Sequence, residues 1–165
     1  MTRTSVRKFS ETPITAEQIN ILLNAGMAAP SALNRQPWAF IVVDNAEILH
    51  RLGKGLHFAK ALYTAPLAIV VCGNLKMKLP LYKEFWVQDC SAATQNILLA
   101  AKALGLGSLW IGVHPVENNE KKVSEILQLP KHIAPLNIIA LGYSEDEQNP
   151  KDKYDPKKVK HNLWS

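Results

Sequence analysis

The chain has 165 residues, 47% of them hydrophobic, enough for one substantial core and not for two. No apolar run approaches the roughly 18 residues that would span a bilayer, and the opening "MTRTSVRKFSE" is polar where a signal peptide would be apolar. The expectation is a soluble, cytoplasmic protein with no membrane partner. The net charge of +5 gathers at the two ends, in Arg3, Arg7 and Lys8 and again in Lys151, Lys153, Lys157, Lys158 and Lys160. A fold that joins the ends would make a compact anion site. A nucleic-acid surface would want a continuous basic stripe or a reading module, and neither is present, so no nucleic-acid partner is expected.

Taken in chain order, Thr15 with Gln18 three residues on makes a capping box, and Ile19, Leu22, Leu23 and Met27 follow at helical spacing, so a helix is predicted that stops before Pro30. "WAFIVV", residues 38–43, reads as a strand closed by Asp44-Asn45. A weaker helical stretch, "AEILHRLGKGLHFAKALY", leads to a buried strand in "PLAIVVCG". "VQDCSAATQNILLAAKALG" is the clearest helix, with Gly105 at its C-cap. "SLWIGV" is a third strand, "ENNEKKVSEILQ" a polar helix and "PLNIIALG" a fourth strand. The tail from Tyr143 has no core-forming period until its last residues. Strands alternating with helices suggest an α/β or α+β sandwich, with a parallel sheet as the natural first expectation.

Four segments could carry chemistry. In "RTSVR", extended backbone would put Arg3, Ser5 and Arg7 on one side and Thr4 and Val6 on the other, and two guanidinium forks flanking a hydroxyl suit a phosphate monoester. In "PSALNRQPW", Pro30 and Pro37 stiffen a loop bearing Ser31, Asn34, Arg35 and Gln36; it serves either a flat ligand or its own backbone, with Trp38 opening the strand. In "SLWIG", Gly112 after Trp110 and Ile111 permits close approach of a ligand to the backbone, or marks a bulge. In "PKDKYDP", Lys151 and Lys153 repeat the alternate spacing of the arginines.

No glycine-rich phosphate loop follows a strand, and no catalytic triad or carboxylate pair is evident. The histidines, five in all, are scattered and the two cysteines, Cys72 and Cys90, read as buried small hydrophobes, so no metal is expected. Chemistry, if present, would come from a cofactor.

In this order, the four segments resemble the FMN-dependent nitroreductase family over nearly the whole chain. "RTSVRKF" is similar to that family's R-x-S-x-R-x-F opening, "AAPSALNRQPWAF" to its A-P-S-x-x-N-x-Q-P-W-x-F segment, "WVQDCSAATQNILLAAKALGLGSLWIG" to its central helix and following strand, and "LGYSEDEQNPKDKYDPKKVKHNLW" to its G-Y-to-aromatic tail. The resemblance implies an α+β sandwich around a mainly antiparallel sheet, in place of the parallel one. It implies one domain over residues 1–165, with 143–165 as an arm reaching the partner of an intertwined homodimer, where Trp164 would be buried.

The same resemblance implies the site. Arg3, Ser5, Arg7, the backbone of Thr4, and Lys151 and Lys153 would hold the FMN phosphate. Pro30, Ser31 and Ala32 would lie along the flavin ring, with Asn34 and Gln36 serving the site of the partner. Trp110, Ile111 and Gly112 would bring strand-end backbone to the ring, where the amides of Ile111 and Gly112 would stabilise the charge gained on reduction. No catalytic side chain is implied, because FMN at the subunit interface would take a hydride from NAD(P)H and pass electrons to a nitroaromatic, quinone or similar flat acceptor by a ping-pong route. The alternative is a flavin-binding module that stores, delivers or senses FMN. Short connections around "LKMKLPLYKEFW" would leave a pocket that is open or shaped by Tyr82, Phe85 and Trp86. Asp89 would either approach the cofactor or, the favoured reading, serve the start of its helix; His57 lies near where larger relatives place a polar contact to the flavin's pyrimidine edge, and Arg35 has no implied role.

Overall fold

The computed structural model describes residues 3–77, 81, 84–146 and 148–164. Its strands β1 (Trp38–Val43), β2 (Leu67–Asn74), β3 (Gly107–Gly112) and β4 (Ile133–Gly142) form one sheet in the order β1-β2-β4-β3. Every strand pair is antiparallel, which overturns the parallel sheet expected from alternation alone. The two central strands are the apolar runs "LAIVVCGN" and "IAPLNIIALG", buried on both faces. Pro135, which has no N–H for the ladder, sits where the β2–β4 register shifts at Val71/Cys72.

Helices α1 (Ala16–Met27) and α3 (Phe85–Ala103) cover one face; α2 (Ala46–Gly55) and α4 (Glu117–Leu127) cover the other. The capping box of α1 forms as read, with the Gln18 amide donating to Thr15 Oγ1 at 3.2 Å and the Thr15 amide to Gln18 Oε1 at 3.0 Å. In α3 the residues Cys90, Ala93, Ile97 and Ala101 recur at three- and four-residue spacing and are fully buried, which lays one stripe of the helix on the sheet. The helix ends where Gly105 turns left-handed (φ 77°), so that the Leu106 and Gly105 amides donate back to Ala101 and Lys102 oxygens at 2.8 and 3.1 Å.

The N-terminal segment is a strap rather than a free end. Ser5 makes a parallel bridge to Ser108 on β3, with the Val6 amide donating to Ser108 O at 3.0 Å, and Val6 is buried. Phe9 bridges Ser144, and the Ser10 amide donates to Tyr143 O at 2.9 Å. Val6 can seat so closely because residue 107 is glycine: a Cβ there would stand 2.7 Å from Val6 Cγ2. We predict that Gly107→Ala destabilises the protein by about 1–3 kcal/mol through overpacking, read as a lower denaturant midpoint at unchanged slope. A midpoint equal to wild type would show that Val6 is not seated there.

Candidate functional site

Extended backbone alternates its side chains, so burying Val6 turns Arg3, Ser5 and Arg7 the other way. All three line one open cleft of about 830 Å³ with Thr4, Lys151 and Lys153. Two basic residues from each end therefore share one cleft, whereas Lys8, Lys157, Lys158 and Lys160 do not line it. A hydrogen bond of 2.6 Å from Thr4 Oγ1 to Gln148 Oε1 fastens strap to tail beside the cleft. Asp152 contributes one opposing charge, and Gln95 reaches in from α3. The described residues form three ion pairs, His114–Glu120, Lys121–Glu125 and Lys158–Asp155, and none uses Arg3, Arg7, Lys151 or Lys153. Four cations lining one cleft with no ion-pair partner among the described residues favour binding of a compact anion.

A second cavity, about 390 Å³, opens between the start of α3 and the end of β3, lined by Glu84, Val87, Gln88, Ser91, Trp110, His114, Pro115 and Leu136. Gln88 and Ser91 here, and Gln95 in the first cleft, lie on one face of α3 at i, i+3 and i+7 spacing, so one polar stripe about 10 Å long joins the two cavities. Trp110 pairs with Ile139 and Gly112 with Asn137, which puts both on the α3 face of the sheet. Ile111 points the other way and is buried, so only its backbone is available. A Cβ built on Gly112 would meet no atom within 4 Å, so neither internal packing nor a left-handed φ requires glycine at that position. The open space suits close approach of a flat ring to the strand end. Asn137, opposite in register, donates to Thr94 Oγ1 at 2.9 Å and keeps a buried Oδ1 with no partner among the described residues.

The loop after α1 is placed differently. None of Pro30, Ser31, Ala32, Asn34 and Gln36 lines either cavity of its own chain. Leu33, Asn34 and Gln36 have positive φ (50°, 52° and 47°), and Leu33 is 82% exposed, so the loop holds strained backbone with an apolar side chain in the open. It is fixed from inside by the Gln36 amide donating to Ser31 Oγ (2.9 Å) and from outside by the Ala32 amide donating to Asp89 Oδ1 (3.0 Å). Asp89 thus corrects its expected role: it lies in the second turn of α3, and its carboxylate anchors the loop. Trp86 is likewise buried, against the position of Gly73, and shapes the core rather than an open pocket; Phe85 does not line the cavity, and Tyr82 is outside the described residues. His57 is exposed and stacks edge-on with Phe58.

Gln88, Ser91, Gln95 and the His114–Glu120 pair were not anticipated. The first three were findable, as polar residues at helical spacing on one face of α3, away from its buried stripe.

The nitroreductase family model matches residues 1–57 and 53–143, most of the chain. The chain belongs to the nitroreductase family. A member from Archaeoglobus fulgidus, provisionally named an NADH dehydrogenase/NAD(P)H nitroreductase, is 43% identical over 99% of this chain and 95% of its own. A solved structure from Parabacteroides distasonis with the same provisional name superposes at a TM-score of 0.93, with 44% identity over 99% and 95% of the two chains. An FMN-dependent nitroreductase from Clostridium difficile gives 0.91 with 33% identity, over 98% and 96%. Against an FMN reductase of Bacillus subtilis, 25% identical, the chain spans 69% of the longer protein, in keeping with its short connections.

Burial alone, without an opposing cation, pushes the Cys72 thiol up to about 12; burial, with the Asp89 charge and Cys72 adding to it, does the same for Cys90. Both thiols are therefore neutral and enclosed. A thiol reagent at pH 8 should label neither in the native protein and both after denaturation; rapid native labelling would contradict the packing. The unfolded thiols ionise from about pH 9 while the folded ones do not, so their contribution to stability is present below that pH and is lost as pH rises towards 12.

Proposed function

We propose that the protein is an FMN-dependent NAD(P)H oxidoreductase that passes electrons to nitroaromatic, quinone or similar flat acceptors. Family membership, with relatives named FMN reductase and NADPH-flavin oxidoreductase, supports the cofactor and the reaction class. The observation that carries the reading to this chain is the cleft lined by Ser5 with Arg3, Arg7, Lys151 and Lys153, four cations that form no ion pair among the described residues. An FMN phosphate, at about −1.5 to −2 near neutral pH, matches that surplus. When bound, FMN supplies hydride acceptance and electron transfer. The chain's own residues hold and orient it: the two guanidiniums and Ser5 at the phosphate, the polar stripe of α3 alongside, and the strand-end amides of Ile111 and Gly112 towards the ring. One cavity near Gly112 would then serve donor and acceptor in turn, which is the ping-pong form.

The rest of the site calls for a second copy. Pro30, Ser31, Ala32, Asn34 and Gln36 stand outside their own chain's cavities, and the strained loop they occupy is free to face a partner's ring. Tyr154, Val159, Leu163 and Trp164 are 73%, 58%, 72% and 84% exposed, apolar surface that an arm over residues 143–165 would bury against that partner. A homodimer with FMN at its interface uses both features; light scattering on the FMN-bound protein should give twice the chain mass, and a monomer would refute the shared site.

Purified protein should be yellow and should bleach anaerobically with NADH or NADPH. A flavin spectrum without bleaching would select the storage or sensing alternative. Each charge-assisted contact is worth about 1.5–3 kcal/mol, less where solvent screens it. Replacing Arg3 and Arg7 together with Ala should therefore weaken FMN retention about 100-fold while the apoprotein keeps its melting temperature. Unchanged retention would overturn the phosphate assignment.

A further inference from the structure

The cavity beside Gly112 contains a titratable pair that the proposed cofactor chemistry leaves unused. His114 stands two residues past β3 and lines the cavity with Trp110, Glu84, Gln88 and Ser91. Its Nδ1 lies 2.8 Å from Glu120 Oε1 in the first turn of α4. A carboxylate can only accept, so Nδ1 carries the hydrogen and Nε2 is the ring nitrogen with no partner among the described residues. The ring also packs edge-on against the buried Trp86, at 5.0 Å between centroids and 65° between planes. Hydrogen bond and indole together fix its tautomer and orientation, the arrangement that a proton-transferring histidine requires. With side-chain exposures of 23% and 29%, His114 and Glu120 are partly shielded yet within reach of solvent protons.

Resting on the cofactor reading above, we infer that His114, oriented by Glu120, donates the proton that accompanies hydride delivery to an oxygen-bearing acceptor such as a quinone. Reduction of a quinone to a hydroquinone takes one hydride, supplying two electrons and one proton, and one further proton. The hydride derives from NAD(P)H. The further proton leaves protonated His114 as the Nε2–H bond breaks; its electron pair stays on nitrogen, and a new O–H bond forms on the acceptor. Neutral His114 keeps Nδ1–H on Glu120 and regains its proton from solvent. The carboxylates of this site are Glu120 from α4, bonded to the ring, and Glu84 at the N-cap of α3, which lines the cavity, and no lysine or arginine among the described residues lines it. A bond that merely tied β3 to α4 would leave acceptor chemistry untouched, and this separates the two roles.

The test uses FMN-bound protein pre-reduced with NADPH and reoxidised either by a benzoquinone, which takes up protons, or by ferricyanide, which takes electrons alone. His114→Gln should slow the benzoquinone reaction on the order of 100-fold and abolish the fall in its rate with rising pH, leaving the ferricyanide rate unchanged. Glu120→Gln should give a smaller loss. In the purified protein, nitrogen NMR should show the neutral His114 ring protonated at Nδ1, a preference that Glu120→Gln removes. Intact benzoquinone kinetics in His114→Gln, or equal slowing of both oxidants, would overturn the inference. Failure to take up FMN would sink the cofactor reading along with it, whereas a loaded protein whose quinone rate ignores pH would sink this inference alone.

Discussion

The seating of Val6 on β3 sets the phase of everything around it. Because backbone alternation has a period of two, placing this one apolar side chain over Gly107 sends Arg3, Ser5 and Arg7 outward. A slip of one residue would bury an arginine or a serine and expose the valine. Desolvating a guanidinium costs far more than a valine gains, so the register is strongly specified. The same strap fixes the tail through Phe9, Ser10 and Thr4, and so delivers Lys151 and Lys153 to the arginines. A weak local signal at each end thus becomes one site through a single packed contact.

Helix α3 carries the second half of the arrangement. Its buried stripe of Cys90, Ala93, Ile97 and Ala101 fixes its rotation on the sheet. That rotation leaves the Gln88, Ser91 and Gln95 side facing the cavities, while Asp89, one position along, reaches the loop at Ala32. Core and site are two faces of one helix, so small core changes in α3 would be felt as displacement of polar groups. The cations of the cleft remain at its surface, where water screens their mutual repulsion and makes an unpaired cluster tolerable.

Local chemistry made much of this legible. The capping box at Thr15, the run 38–43 and Gly105 past α3 each act within a few residues, and each forms as its pattern dictates. Strand direction is a different kind of fact. Helix-strand alternation says that the chain returns to the sheet, not which way it then runs, and so the parallel expectation failed while the elements held. The Asp89–Ala32 bond joins positions 57 apart in sequence, and no periodicity contains it. His114 and Glu120 are 6 apart across a change from strand to helix, a spacing that belongs to neither period. The basic cleft was foreshadowed by charge at both ends and by the family resemblance, since only a fold can bring Arg3 and Lys151 to one cleft.

The strap-to-tail bond spans 144 residues, and this has a consequence for biosynthesis. During synthesis Thr4 cannot meet Gln148 until 144 further residues have been made, so the arginine and lysine sides of the cleft come together late. The sheet's contacts can form earlier, whereas this closure carries the entropy of a 144-residue loop. On the FMN reading, flavin loading therefore follows the closure of strap on tail, and its rate depends on how promptly those two segments find each other.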